Sequence, residues 1–276
     1  MRPRGRGRAA GVLAAVLAAA LLAGCAQSVD PIERLGKKAA QRVRPHGPAA
    51  EPPYRRWGLT APLAPAPRPA ARPPAAPAAG LGLPPVVSRV RTRDRVVFLT
   101  YDDGAEKDPR FVDMVRELRL PVSMFLTDSV VGPGYGHFAR LQAVGASIQN
   151  HTLDHPALRG LPYAGQRAEI CGQQDKLRSR FGQRPRLFRP PYGAFDRTTL
   201  RAAARCGVAA LVLWRAAAEG DGSLTYGGGG HRLRPGDVVS LASGETAALT
   251  LRERTTRVLR EAQRRRLAVG RLEDYL

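Results

Sequence analysis

From residue 92 onward, apolar positions fall into short runs separated by amphipathic stretches. Val96-Val97-Phe98-Leu99 is continuously apolar and predicts a buried strand. Residues 108–119 place Phe111, Val112, Val115 and Leu118 on one face of a helix. Pro121 then opens a second strand over 122–126. The alternation continues with a helix near 137–145, a strand near 147–149, a helix near 164–181 and a strand near 186–188. A helix near 197–205 precedes a strand over 208–214, and a strand near 238–241 precedes a long basic helix near 248–266. Strands alternating with helices predict an α/β fold with a mostly parallel sheet. In such folds the functional residues gather at the carboxyl ends of the strands.

The chain before residue 92 has a different texture. Arg2, Arg4, Arg6 and Arg8 precede an unbroken run of small and apolar residues over 9–23. As a helix that run would rise about 22 Å, short of a bilayer core of about 30 Å. It reads as a secretory signal over 1–24. The run ends in Leu22-Ala23-Gly24-Cys25, which resembles a bacterial lipobox. The resemblance implies cleavage before Cys25, a lipid on its thiol, and anchoring at the outer face of the cytoplasmic membrane. Residues 45–85 hold 13 of the 24 prolines. Proline removes backbone donors and stiffens the chain, so residues 25–91 are expected to form a disordered, semi-rigid tether. The folded part is then expected to occupy 92–276 as a monomer.

The sequence has 276 residues, and 43% are hydrophobic, so a packed core is within reach and wholesale disorder is excluded. The net charge is +21, which draws anionic partners. Export argues against nucleic acid among them and leaves the anionic cell envelope. With Cys25 set aside, Cys171 and Cys206 remain, and either a disulfide or two separate buried thiols is compatible with their positions.

Three polar clusters follow predicted strands. Thr100-Tyr101-Asp102-Asp103-Gly104 follows the first, Asn150-His151-Thr152-Leu153-Asp154-His155 the third, and Arg189-Pro190-Pro191-Tyr192-Gly193 the fourth. His151 and His155, four apart, can face the same way on one helical turn and share a metal. A carboxylate from another strand end completes a three-ligand site with open positions, suited to Zn²⁺ and, next, to Co²⁺ or another divalent transition metal. Asp102 and Asp103 are neighbours and point apart. One can bind the metal while the other takes a proton from water.

TYDDG, HTLDH and RPPYG together resemble the first three motifs of the polysaccharide deacetylase family, the NodB-homology domain of carbohydrate esterase family 4. The resemblance covers roughly residues 92–276 and implies a distorted (β/α) barrel with fewer than eight strands. It also implies hydrolysis of the N-acetyl group of an amino sugar in a glycan. Matched position by position, it makes Asp102 the general base and Asp103, His151 and His155 the metal ligands. Arg189 would orient the base, and the backbone N–H of Tyr192 would stabilise the oxyanion. Trp214 and Tyr101 are candidate walls of a substrate groove. The later motifs depart from the family. Arg215-Ala216-Ala217-Ala218-Glu219 lacks the usual Asp–Trp pair, and Ala242 stands where a general-acid histidine is expected. His231 is the candidate substitute acid, with Glu245 and water as weaker ones.

Overall fold

A computed structural model of the chain describes residues 51–69, 82–103, 107–242 and 248–276. The expected signal segment, Cys25 and Glu245 lie outside the described residues. In chain order the elements are α1 (Pro53–Arg56), β1 (Val86–Val87), β2 (Val96–Asp102), α2 (Pro109–Leu118), β3 (Val122–Leu126), α3 (Asp128–Val131) and α4 (Tyr135–Ala143). Next come β4 (Ser147–Asn150), α5 (Tyr163–Phe181), β5 (Leu187–Phe188), α6 (Arg197–Arg205), β6 (Ala210–Val212), β7 (Ala216–Ala218) and β8 (Leu224–Tyr226). β9 (Val238–Ala242), α7 (Leu251–Arg264) and β10 (Ala268–Val269) close the chain.

Among the described residues the strands form one sheet in the order β1-β6-β5-β4-β3-β2-β9-β7-β8, with β10 on β2. Every strand pair is parallel except the β7–β8 hairpin. Parallel pairing brings the carboxyl ends of β2, β3, β4, β5, β6 and β9 to one rim. The sheet curls into the distorted, incomplete (β/α) barrel that the alternation and the motifs predict.

Side-chain alternation sorts β2 into two cores. Val96 and Phe98 pack with Phe125, Leu187, Val212 and Val238 inside the curl. Val97, Leu99 and Tyr101 join Val115, Met124 and Leu259 in the layer between sheet and helices. Tyr101 is therefore not a groove residue: its ring is fully buried, its hydroxyl hydrogen-bonds with that of Thr255, and burial raises its pKa. The reason is the two-residue period of the strand, which sends Thr100 and Asp102 inward and Tyr101 outward. At the far end of the barrel Tyr275 closes the interior against Phe98, ring centroids 5.0 Å apart.

Helix starts are set locally. Asp108 caps α2 by accepting from Arg110 N, and Asp196–Thr199 and Thr250–Glu253 form capping boxes on α6 and α7. A Cys171–Cys206 disulfide joins α5 to the end of α6.

Two segments assigned by composition to the tether belong to the folded unit, which runs from Glu51 to Leu276. Residues 86–87 add β1 to the sheet edge beside β6. Trp57 and Leu59 are buried in the outer core, and Trp57 Nε1 donates to Glu117 at 2.8 Å. Proline content hid this because α1 needs only four residues, and its prolines stand where a helix start tolerates them. Trp57→Ala is expected to remove about 3 kcal/mol of stability. That should lower the thermal midpoint by roughly 6–12 °C, measured by circular dichroism. A midpoint shift within 1 °C would show that the segment does not contribute to the fold.

Candidate active site

The rim of the parallel sheet carries the three sequence clusters. Asp102 ends β2, His151 follows β4, and Arg189 follows β5. Arg189 is fully buried, and each of its side-chain nitrogens has a partner. Nη1 donates to Asp102 Oδ1 at 2.5 Å, Nη2 to Thr100 Oγ1 at 2.8 Å, and Nε to the carbonyl of Val212 at 3.2 Å. Its guanidinium lies over the rings of Phe125, at 4.4 Å, and Trp214, at 5.5 Å. Burial pushes the guanidinium pKa down, and the Asp102 carboxylate opposes that push. The other carboxylate oxygen of Asp102 accepts from Ser240 Oγ at 3.3 Å.

The same arginine reaches the histidines through its backbone. His151 Nδ1 lies 2.8 Å from the carbonyl oxygen of Arg189. A carbonyl only accepts, so the proton sits on Nδ1 and the lone pair of Nε2 faces the rim. His155 Nε2 is 3.2 Å from that nitrogen. Burial lowers the pKa of both imidazoles, that of His151 to about 4, so both are neutral at neutral pH. Asp103 stands beside them. Burial raises its carboxyl to about 7, against the pull of the Thr127 N–H, which donates to Oδ1 at 2.7 Å.

One ligand atom from each of Asp103, His151 and His155 lies within 4.8 Å of the others. Two ligands about 2.1 Å from one tetrahedral centre are separated by about 3.4 Å, so the imidazole pair already has a suitable spacing. The donor set fits a divalent cation in a second respect. Asp103 forms no salt bridge with a basic side chain among the described residues, and a cation would offset the cost of ionising it where it is buried.

The histidine pair is not on a helical turn, contrary to the expectation from their spacing. Residues 151–155 form an irregular loop in which Thr152 has φ 78° and His155 φ 60°. Asp103 and Tyr192 are also left-handed, with φ 59° and 60°. Strained backbone of this kind concentrates at functional sites. Asn150 Oδ1 holds the turn by accepting from Thr152 N at 2.8 Å.

A groove of about 590 Å³ runs over this rim, walled by Trp214, Tyr192, Asp154, Glu219 and Ser240. Tyr192 is 69% exposed, and its ring stands edge-on to His155 at 4.8 Å. Gly193 has φ +66°, and a side chain there would press on Trp214. Asp102, Asp103, His151, His155, Arg189, Tyr192 and Trp214 thus come together at one rim. His231 does not; it lines a separate cleft with Arg257 and Glu261. Sequence reasoning missed Ser240, Thr100 and Thr127. Ser240 pairs with Thr100 across β9 and β2, and inward alternation along both strands was the signal that could have found it.

Residues 89–211 match the family model for polysaccharide deacetylases. An uncharacterized protein of Streptomyces coelicolor is 64% identical over 197 residues, 71% of this chain and 79% of that protein. The chitooligosaccharide deacetylase of a Bradyrhizobium strain is 32% identical over 120 residues, 42% of this chain and 55% of the enzyme. Among solved structures, wild-type BA3943, a CE4 family pseudoenzyme from Bacillus anthracis, superposes with a TM-score of 0.60. That match has 16% identity and covers 69% of this chain and 68% of that one. Residues 89–211 thus carry a polysaccharide deacetylase domain, and the curled sheet has the NodB-type fold of the solved carbohydrate esterase family 4 structures.

Zinc is expected to raise the thermal midpoint of the metal-free protein, and more at pH 8 than at pH 5.5. The sign follows from Asp103: its raised pKa leaves it largely protonated at the lower pH, so binding there must displace a proton. Asp103→Asn and His151→Ala should each abolish most of the zinc-induced rise. An equal rise in both variants would place the cation elsewhere.

Proposed function

We propose that this protein is a metal-dependent hydrolase that removes N-acetyl groups from an amino-sugar polymer of the cell envelope, peptidoglycan or a similar glycan. The observation that carries the reading is the double engagement of Arg189. Its side chain holds Asp102, and its backbone fixes the His151 tautomer. Asp103, His151 and His155 would hold the cation, zinc by its fit to two imidazoles and one carboxylate. A cation bound there supplies Lewis acidity, polarising the acyl oxygen and acidifying a water.

The chain's own groups supply the remaining steps. Asp102 accepts the proton of the attacking water, with Arg189 and Ser240 fixing the direction in which its carboxylate points. The backbone N–H of Tyr192 donates to the oxygen on which negative charge develops. Trp214 and the Tyr192 ring flank the sugar. β9 places Ala242 in register with Asp102, where the family's fifth motif carries an imidazole. Besides His151 and His155, no histidine among the described residues lines the groove. The proton taken up by Asp102 therefore returns to the leaving nitrogen, giving acetate and the free amine. A missing dedicated acid costs roughly 10²–10⁴ in rate, so turnover is slow.

The same absence supports a second reading, a glycan-binding lipoprotein of this fold with little or no turnover. We further propose export and lipid attachment at Cys25, carried by the Leu22-Ala23-Gly24-Cys25 sequence. The discriminating assay is acetate release from chitooligosaccharides and peptidoglycan fragments with added Zn²⁺ or Co²⁺. Asp102→Asn keeps an oxygen for Arg189 and is expected to lower the rate at least about a hundredfold, with the zinc-induced stabilisation retained. Zinc binding with no acetate from any substrate would select the binding protein.

A further inference from the structure

The β7–β8 hairpin has two faces. Ala217 and Thr225 face the groove over the rim, whereas Leu224 and Tyr226 line a second cleft, of about 450 Å³, against α7. Strand alternation puts these residues on opposite sides of β8. Four arginines and a single carboxylate line this second cleft: Arg257, Arg260, Arg264 and Arg265 around Glu261.

Within the cleft lining the charges are not balanced in pairs, although the exposed carboxylates of Asp221 and Glu253, outside the lining, attract Arg257. Arg264 and Arg265 share Glu261, with contacts of 2.6 and 2.8 Å. Arg257 and Arg260 are anchored on neutral acceptors instead. Arg257 Nη1 donates to the carbonyl of Asp221 at 3.0 Å, and Arg260 Nε to that of Gly58 at 2.7 Å. A carbonyl fixes a guanidinium without cancelling its charge, and the remaining N–H groups keep their fork geometry. Both side chains also pass close over glycines. At Gly222 a Cβ would lie 2.6 Å from Arg257 Cδ, and at Gly58 it would lie 2.8 Å from Arg260 Nη2. The positively charged groups are thus held in place before any ligand arrives.

Arg265 also lines a neighbouring cleft of about 500 Å³, together with Arg89, Arg95, Arg232 and Arg234. That cleft has no acidic lining residue. Two concave basic clefts joined through one arginine match a chain carrying anions at intervals. A flat charged membrane would meet the rims of such clefts and leave their floors unused. Tetrahedral dianions or diesters suit paired guanidinium forks.

We propose that these clefts form one binding track for a soluble phosphodiester polymer, with Arg257 and Arg260 taking phosphate oxygens in the first cleft and Arg232 and Arg234 in the second. Tyr226 and Leu224 give the polymer's carbon backbone an apolar wall. The track is separate from the metal centre and does not require that the protein turn over a glycan.

The test is isothermal titration of the purified protein with poly(glycerol phosphate) at low salt. Parallel arms use glycerol phosphate monomer, polyglucuronate and phosphatidylglycerol vesicles. Binding of the polymer should exceed that of every other arm and weaken as salt is raised. Arg257→Gln/Arg260→Gln should weaken it at least about tenfold, and Arg232→Gln/Arg234→Gln by a similar factor. Arg257→Lys/Arg260→Lys, which keeps the charge but not the fork, should fall between. All variants should retain the zinc-induced rise in thermal midpoint, which reports on the metal centre and shows that the fold is intact. Absence of polymer binding, undiminished binding by both glutamine variants, equal binding of polyglucuronate, or preference for vesicles would each overturn the proposal. Failure of acetate release alone would bear only on the deacetylase reading.

Discussion

A buried guanidinium is tolerable only if its charge is answered and its nitrogens have partners, and the site of this protein is organised around meeting that demand at Arg189. Removing one partner from a buried ion pair typically costs about 3–5 kcal/mol, so Arg189, Asp102 and Thr100 must be placed together. Two strands supply them, β2 and the end of β5, and Val212 at the end of a third, β6, supplies the last acceptor. The carbonyl of the same arginine then selects the His151 tautomer. One residue therefore links the Asp102 carboxylate to the His151 imidazole, and the parallel sheet is what gathers their strands at a common rim.

Around this anchor the backbone is held in conformations that it would not choose by itself. Asp103, Thr152, His155 and Tyr192 all occupy the left-handed region without being glycine. Each such residue costs of order 1–3 kcal/mol, offset by the cores on both faces of β2. The strain turns the Asp103 carboxyl and the His155 ring toward one point even though neither sits on a regular element. Burial acts in the same direction electrostatically: it keeps both imidazoles neutral and makes Asp103 costly to ionise without a nearby cation.

The long elements were legible because their apolar periods are strong. α2, α5, α6, β2, β3 and β9 fall within a few residues of their expected positions. The short strands β1, β7, β8 and β10, of two or three residues, carry too few positions for a period to show. Most of the site was legible from three motifs, whose residue types and order after strands are specific. The geometry within them was not. Their spacing suggested a helical turn for His151 and His155 and could not reveal the loop strain that brings them together. Tyr101 belongs to the first motif yet faces the outer core, because strand alternation decides its direction. His231 has the right chemistry for an acid, but the β7–β8 hairpin separates its cleft from the groove. Trp57 was hidden by proline-rich surroundings, since composition reports an average and burial depends on one side chain.

The departures from the family are concentrated on one side of the groove, at Ala242 and in the stretch after Trp214, while the opposite side keeps its full set of residues. On the proposed function, Asp102, the Asp103–His151–His155 cluster and the Tyr192 N–H keep the means of attack, while Ala242 offers no imidazole for departure of the amine. The foundation of that reading is a cation shared by Asp103, His151 and His155. The most direct test is anomalous diffraction at the zinc edge from crystals of the zinc-loaded protein. The account predicts a single strong peak bonded to Asp103, His151 and His155, with Asp102 still paired to Arg189. A peak on other residues, or a zinc ion bound by Asp102 with its Arg189 contact broken, would contradict it.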